Sequence, residues 1–369
     1  MPNIFAMYLP QYHSIPENDL FWGKGFTDWV SVKQAKPLYK GHLEPRVPLN
    51  KNYYDLSEKQ DVAWQAELAK SYGIDGFGIY HYWFNNEKNL LTKPAEIILE
   101  NKDIDIDFFF AWDNANWKRS WSNVPGNDWA PAMDQNQQKK GAPVVLIPYV
   151  IGEEQDWTNH YNWLRSFFLD KRYIRKDNKP LFVIFNYDEQ ISKMCACWNK
   201  LAQQDGFDGM FFIFRFGEQY HIPDSEAVLK YEPLFSGWSA PLSILERIVR
   251  KVGRIFGREI GPKKYSYDKV WASILENARS MSRDEVYHGA FVTYDDTPRR
   301  GRRGTVVTGA SPEKFQAYLA ELLRISASQK KDFVFLTAWN EWGEGAYLEP
   351  DEESGYHYLE AIRQIKNNQ

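Results

Sequence analysis

Residues 337–350 read TAWNEWGEGAYLEP, and within them Glu341 and Glu344 stand three positions apart, flanked by Trp339, Asn340 and Trp342. Two nearby carboxyl groups can do acid/base work on one bond. Their mutual charge raises one pKa, so one group stays protonated near neutral pH while the other is ionised. Cleavage of a glycosidic bond asks for that combination: a proton for the departing oxygen, and a base or negative charge at the oxocarbenium-like centre. An ExxE spacing alone is weak, because most such pairs lie on solvated helices or loops. Its setting is stronger, since DFVFL (332–336) reads as a buried strand that ends at the pair. Gly343 and Gly345 are expected to let the chain turn sharply between and after the two acids.

The pair can act only if other elements bring partners to it. Apolar runs of strand type recur at 4–9, 74–83, 106–112, 180–185, 210–216, 227–233, 289–295 and 333–339. Helical periodicity falls between several of them, at 58–72, 157–170, 189–205, 267–281 and 312–329. The last of these opens SPEKF, a serine N-cap followed by proline at the first helical position. Buried strands alternating with helices predict an α/β chain, a single (β/α)8 TIM-type barrel over 1–369 with loop elaborations at its C-terminal face. A ninth apolar run, 145–151, reads as part of an excursion after the third strand.

Chemistry in such a barrel sits where its strands end. Tyr8 and His13 follow the first strand; His81 and Tyr82 end the second. Trp112, Asp113, Asn116 and Trp117 follow the third, and Tyr187 the fourth. Arg215, Glu232 and Asp295 end the next three, with Arg299 and Arg300 just beyond Asp295. Trp339, Asn340, Glu341, Trp342 and Glu344 end the last. Polar and aromatic groups thus converge on one rim, and 16% aromatic residues suit a cleft that stacks on the flat faces of sugars.

A net charge of −4 gives no support to a nucleic-acid partner. The only cysteines, Cys195 and Cys197, are too close for an easy disulfide and lack neighbours for a metal site. Seven histidines show no HExxH or HxH spacing, and no glycine-rich phosphate loop or GxSxG elbow is present, so neither metal nor cofactor is expected. Neither a signal peptide nor a span of ~20 apolar residues is recognised, which makes the cytoplasm the simplest expected location.

Long motifs in fixed order carry a resemblance. They are YLPQYHSIPENDLFWGKGFTDW (8–29), GHLEPRVPLNKNYYDL (41–56), AKSYGIDGFGIYHYWF (69–84), AWDNANWKRSW (111–121), FFLDKRYIRKDNKPLFVIF (167–185), YDDTPRRG (294–301) and the opening stretch. Together they resemble the WbsX-type family of bacterial surface-polysaccharide (O-antigen, capsule) biosynthesis proteins, itself similar in fold and site to glycoside hydrolase family 99, the endo-α-mannosidases. The resemblance implies retaining, metal-independent chemistry at an α-linked, manno-like sugar. Glu344 would be the acid/base, and Glu341 the base that lets the substrate 2-hydroxyl attack through a 1,2-anhydro sugar. Tyr8, His81, Tyr82, Trp112 and Trp339 would line the sugar subsite. WbsX-type proteins also carry a glycosyltransferase label, which leaves hydrolysis and transfer both open. Where that family usually reads WANENW this chain has WDNANW (112–117), so Ala115 replaces a glutamate and Asp113 an alanine. A glycan-binding protein without turnover is the third alternative, and Ala115 is its support.

Two further stretches bear on partners. Arg299, Arg300, Arg302 and Arg303 could clamp the phosphate of a lipid-linked glycan, although such runs are usually solvated loops. Residues 243–260 are compatible with a helical insertion at 241–264 that is apolar at Ile244, Ile248, Val252 and Phe256, with Leu245 and Val249 beside them. Arg247, Arg250, Lys251, Arg254 and Arg258 fall largely elsewhere. The commoner use of such a helix is to cap its own barrel; the other is to lie on an anionic membrane, here the inner face.

Overall fold

The computed structural model describes residues 1–118, 145–215, 227–240, 242–255, 260–280 and 284–368. Eight parallel strands close on themselves: β1 (Asn3–Tyr8), β2 (Gly76–Asn85), β3 (Asp107–Trp112), β4 (Lys179–Ile184), β5 (Phe211–Arg215), β6 (Ala227–Leu229), β7 (Val286–Phe291) and β8 (Phe333–Thr337). Each pairs with its neighbours in chain order, and β1 closes the ring by pairing with both β8 (Phe5↔Phe335) and β2 (Phe5↔Gly76). These strands are covered on both faces, so they read as continuous apolar runs rather than alternating ones.

Alternation nevertheless decides where each side chain goes. Phe5, Phe109 and Phe335 meet inside the barrel, with ring centroids 5.5–6.0 Å apart. A side chain at Gly78 would come within 2.5 Å of the Phe109 ring, so a hydrogen is all that fits there. The other face of each strand packs on the helices: α2 (Lys59–Ser71), α3 (Lys93–Glu100), α4 (Glu154–Phe168), α5 (Glu189–Gln204), α7 (Tyr267–Ser280), α8 (Pro312–Ser328) and α9 (His357–Asn367). Ser311 caps α8 as its sequence predicts, its hydroxyl accepting from the Lys314 amide. A shorter helix, α1 (Asp28–Gln34), follows β1 at the C-terminal rim of the barrel.

The ninth apolar run does lie off the barrel. Val145–Ile147 pairs antiparallel with Trp117–Lys118 in the connection after β3. β7 begins and ends earlier than its apolar run suggests, which leaves Asp295 and Asp296 in the loop beyond it. The insertion is a helix, α6 (Ile244–Ile255), but it does not cap the barrel with its apolar stripe: Ile244, Ile248, Val249, Val252 and Ile255 are all exposed. Phe256 and Arg258 lie outside the described residues.

Candidate active site

Strand β8 delivers Glu341 and Glu344 to the C-terminal face of the barrel, where one guanidinium holds both. Arg299 Nη1 donates to Glu344 Oε1 at 2.8 Å; Nη2 donates to Glu341 Oε2 at 3.1 Å and to Asp28 Oδ2 at 2.6 Å. The two glutamates therefore lie side by side, on adjacent nitrogens of a planar fork. Arg299, Asp28 and Glu341 are buried, and Glu344 is half-buried. Gly343 serves this arrangement by its size. A Cβ there would sit 2.5 Å from Arg299 Nε and 2.8 Å from Asp28 Oδ2. Gly345 has φ +53° and presses on the Asp295 backbone, so it answers the expectation of a sharp turn.

A buried scaffold fixes the loop. Tyr12 grips both sides of Glu341: its hydroxyl donates to the Asn340 carbonyl (2.6 Å) and accepts from the Trp342 amide (3.2 Å). The Asn340 carboxamide pairs with the Leu9 amide and carbonyl of the β1 connection. The Trp342 indole stacks on Tyr347 at 3.7 Å and donates to Glu349. Glu349 also accepts from Tyr54 (2.8 Å) and Gln65 (2.7 Å), and burial pushes its carboxyl up to about 7. Glu349→Ala strands three buried donors, each worth roughly 1–3 kcal/mol. The variant is expected to lose about 3 kcal/mol or more in chemical denaturation, and an unchanged midpoint would refute this role.

The remaining candidates separate by face. Tyr82 is buried on the inward side of β2: its hydroxyl accepts from Gln11 and lies in the fields of both Glu341 and Asp113. Trp117 stacks edge-on against Tyr82 at 5.4 Å. Tyr8, His81, Trp112 and Trp339, expected to line the sugar subsite, sit behind the wall. Tyr8 donates to Gln65 of α2, and Trp339 packs on Phe77 at 5.3 Å. His81 bonds His160 of α4 and stacks on Trp163, while the Trp112 edge meets His160. The reason is the two-residue period, which sends 80 and 82 inward and 81 outward. Asn340 and Trp342 are likewise scaffold. His13 is buried, Asn116 accepts from the Tyr149 amide, and half-buried Tyr187 packs edge-on against Phe214.

Arg300 is half-exposed and pairs with Asp296, and Arg302 and Arg303 are exposed. Arg299 is committed to three carboxylates, so a phosphate there must displace them. Asp295 faces away from the pair. It accepts from His42 Nε2 (2.7 Å) and from Thr297, beside a cavity of ≈ 980 Å³ that also exposes Glu44, Arg46 and Tyr347 but neither Glu341 nor Glu344. His42, Glu44 and Asp295 converge closely enough to suggest a cation site. Yet they satisfy one another: His42 Nδ1 accepts from the Leu38 amide, so Nε2 carries the proton given to Asp295, and Arg46 bonds Glu44.

Sequence reading missed Asp28, Tyr12, and the Tyr80 and Tyr231 hydroxyls, which bond each other and both feel the Glu341 charge. Tyr80 was legible as the inward neighbour of Tyr82. Asp28 gave no local signal, because its partner lies 271 residues away.

Burial, then the charges of Glu344 and Asp28, push Glu341 up to about 8 against the opposing pull of Arg299. The surroundings thus keep one proton on the pair near neutral pH, shared as a unit. Activity requiring that proton is expected to fall as pH rises through about 8. A kcat/KM profile flat to pH 10 would contradict it.

The chain matches the family described as Glycosyltransferase WbsX over residues 4–362. Two uncharacterized WxcX proteins of Xanthomonas campestris strains are each 30% identical over 98% of this chain, which spans about half (49%) of their length. Among solved structures, a GH99 endo-alpha-mannosidase from Bacteroides thetaiotaomicron matches with TM-score 0.59 and 13% identity, covering 99% of this chain and 97% of that one. A glycoside hydrolase-like protein matches at TM-score 0.57 and 13% identity, over 99% and 93%. At such identities the likeness is one of fold. A match over nearly the whole length carries the assignment: this chain, a closed (β/α)8 barrel, belongs to the carbohydrate-active WbsX glycosyltransferase family.

Proposed function

We propose that this chain is a retaining, glycoside hydrolase-like enzyme acting at an α-linked, manno-like sugar of a bacterial surface polysaccharide such as O-antigen or capsule. The observation that carries the reading is the pair of carboxyls on one guanidinium at the end of β8. A shared fork leaves little room between the two carboxyls for the water that an inverting enzyme admits at a separation of roughly 6.5–9.5 Å. Glu341 acts in the form of the pair in which the shared proton sits on Glu344, and takes the proton of the substrate 2-hydroxyl as that oxygen bonds C1. Glu344 gives its proton to the departing glycosidic oxygen. Water then opens the 1,2-anhydro sugar at C1, losing a proton to Glu344 while Glu341 returns one to O2. No metal or cofactor enters these steps. Glu344 is the more exposed of the two, and Tyr82, Tyr80 and Tyr231 lie in the field of Glu341.

The substrate is then an oligosaccharide or lipid-linked glycan met in the cytoplasm, at the inner face of the membrane. The kinship in fold with endo-alpha-mannosidases supports a manno-like sugar. Asp113 modifies the subsite: its carboxyl, raised by burial and countered by Arg215, stands two positions before Ala115. We place it as the acid that contacts a sugar hydroxyl in this chain.

The test uses the purified protein, an α-mannoside panel and surface oligosaccharides of the source bacterium, with no nucleotide sugar. Release of sugar with retained anomeric configuration, read by mass spectrometry and NMR, is expected. Transfer from an activated donor is the second reading, favoured by the family's glycosyltransferase description. No release, together with turnover once a nucleotide sugar or polyprenyl-phosphate sugar is added, would overturn the hydrolytic reading in its favour. Sugar binding without turnover under either condition would mark a glycan-binding protein.

A further inference from the structure

Helix α6 presents an apolar stripe that nothing in the described chain covers. Ile244 is 75% exposed, Ile255 71%, Ile248 54% and Val252 46%. At 3.6 residues per turn these four fall within one quarter of the helix circumference, with Val249 continuing the stripe. The opposite edge is fastened to the protein. Glu246 bonds Arg250 at 2.7 Å and receives the Lys264 amide, and Arg250 reaches the Gly261 carbonyl. That tether fixes which side of the helix looks outward. Exposed Arg247 and Lys251 border the stripe along its other margin. A stripe of this kind flanked by cations, on a helix of 12 residues (about 18 Å), suits lying in a lipid interface rather than crossing it. Among the described residues no helix is long and apolar enough to span a membrane.

We propose that α6 docks the enzyme on an anionic lipid bilayer. Charge complementarity selects this occupant. Two copies joined through the same stripe would bring their Arg247 and Lys251 margins into one contact, with Glu246 already spent on Arg250. An anionic surface instead meets each cation with an opposite charge. Topology adds an orientation. α6 lies in the connection from β6 to α7, and such β-to-α connections form the catalytic face. The strand after it, Lys263–Ser266, pairs with Thr305–Thr308, the segment just beyond Arg299. Docking through α6 therefore brings the rim that carries Glu341 and Glu344 to the membrane side. The docking itself does not depend on which reaction the pair performs.

The full chain is sedimented with vesicles of phosphatidylcholine alone and of phosphatidylcholine with phosphatidylglycerol. Binding to the anionic vesicles, weakened by salt, is expected, with little binding to the neutral ones. Ile248→Asp with Val252→Asp, and separately Arg247→Glu with Lys251→Glu, should each weaken binding roughly tenfold or more. All four positions are exposed, so unchanged thermal melts are expected and separate lost docking from lost folding. Protein that stays in the supernatant with both vesicle types overturns the proposal. So does equal binding by the variants. A concentration-dependent dimer abolished by Ile248→Asp, with no vesicle binding, would assign the stripe to a second copy and overturn it as well.

Discussion

Glu344→Gln is expected to cut turnover on a glycoside with a poor leaving group by roughly 10²- to 10⁴-fold, the usual share of general acid/base catalysis. Sugar affinity should stay within a few-fold, because the amide keeps the shape and can still accept from Arg299 Nη1. Stability should hardly move, since Arg299 keeps Asp28 and Glu341 as partners. A glycosyl fluoride, whose leaving group needs no proton, should restore much of the rate. The electrostatics make this substrate decisive, because burial raises Glu341 while the family resemblance gives the acid role to Glu344. If fluoride rescues Glu341→Gln and not Glu344→Gln, the two roles are reversed. If Glu344→Gln cleaves ordinary glycosides at the normal rate, the pair is not the catalytic centre. The same variant carries an electrostatic readout. Glu344's charge helps raise Glu341, so its removal should lower the Glu341 titration seen by carboxyl NMR.

The barrel was legible because buried parallel strands are continuous apolar runs, and all eight are at or near the places those runs mark. The positions of Glu341 and Glu344 followed from the end of one such run. Which rim residues meet the cleft was less legible. With both faces of every strand buried, hydrophobicity carries no mark of inside or outside. Tyr82 and His81 are adjacent in sequence, yet one faces Gln11 and the other stacks on α4. The α6 stripe failed differently: its periodicity predicted the helix, but periodicity cannot say whether an apolar face is covered. Arg299 is the instructive case. Its neighbours in TPRRGRRG suggested either a solvated loop or a phosphate clamp, whereas its real partners come from α1 and from the loop after β8. Only folding joins them.

Arg299→Met is accordingly expected to be among the most damaging single substitutions in the chain. It removes the cation shared by three acidic side chains, two of them buried, and leaves Asp28 and Glu341 as uncompensated charges. Breaking a buried ion pair from one side costs about 3–5 kcal/mol. The deficit should depend on pH in a definite direction. Arg299 holds the Glu341 carboxyl down against burial, so without it that carboxyl titrates higher still. A folded-state carboxyl pKa raised above its unfolded value favours folding below the unfolded pKa and loses that advantage as pH rises through the folded one. The stability gap between variant and wild type should therefore be widest above pH 8 and narrow toward pH 5. Arg299→Lys, which keeps the charge and loses the fork, should recover part of the stability but little activity, because one ammonium cannot hold the two glutamates side by side. Denaturant melts of both variants at the two pH values decide the matter. A phosphate-clamping Arg299 predicts the opposite outcome: wild-type stability at every pH, with loss confined to the binding of phosphate-bearing substrates. Met at 299 with an undisturbed melt would thus remove the guanidinium from the centre of the site and return it to the loop.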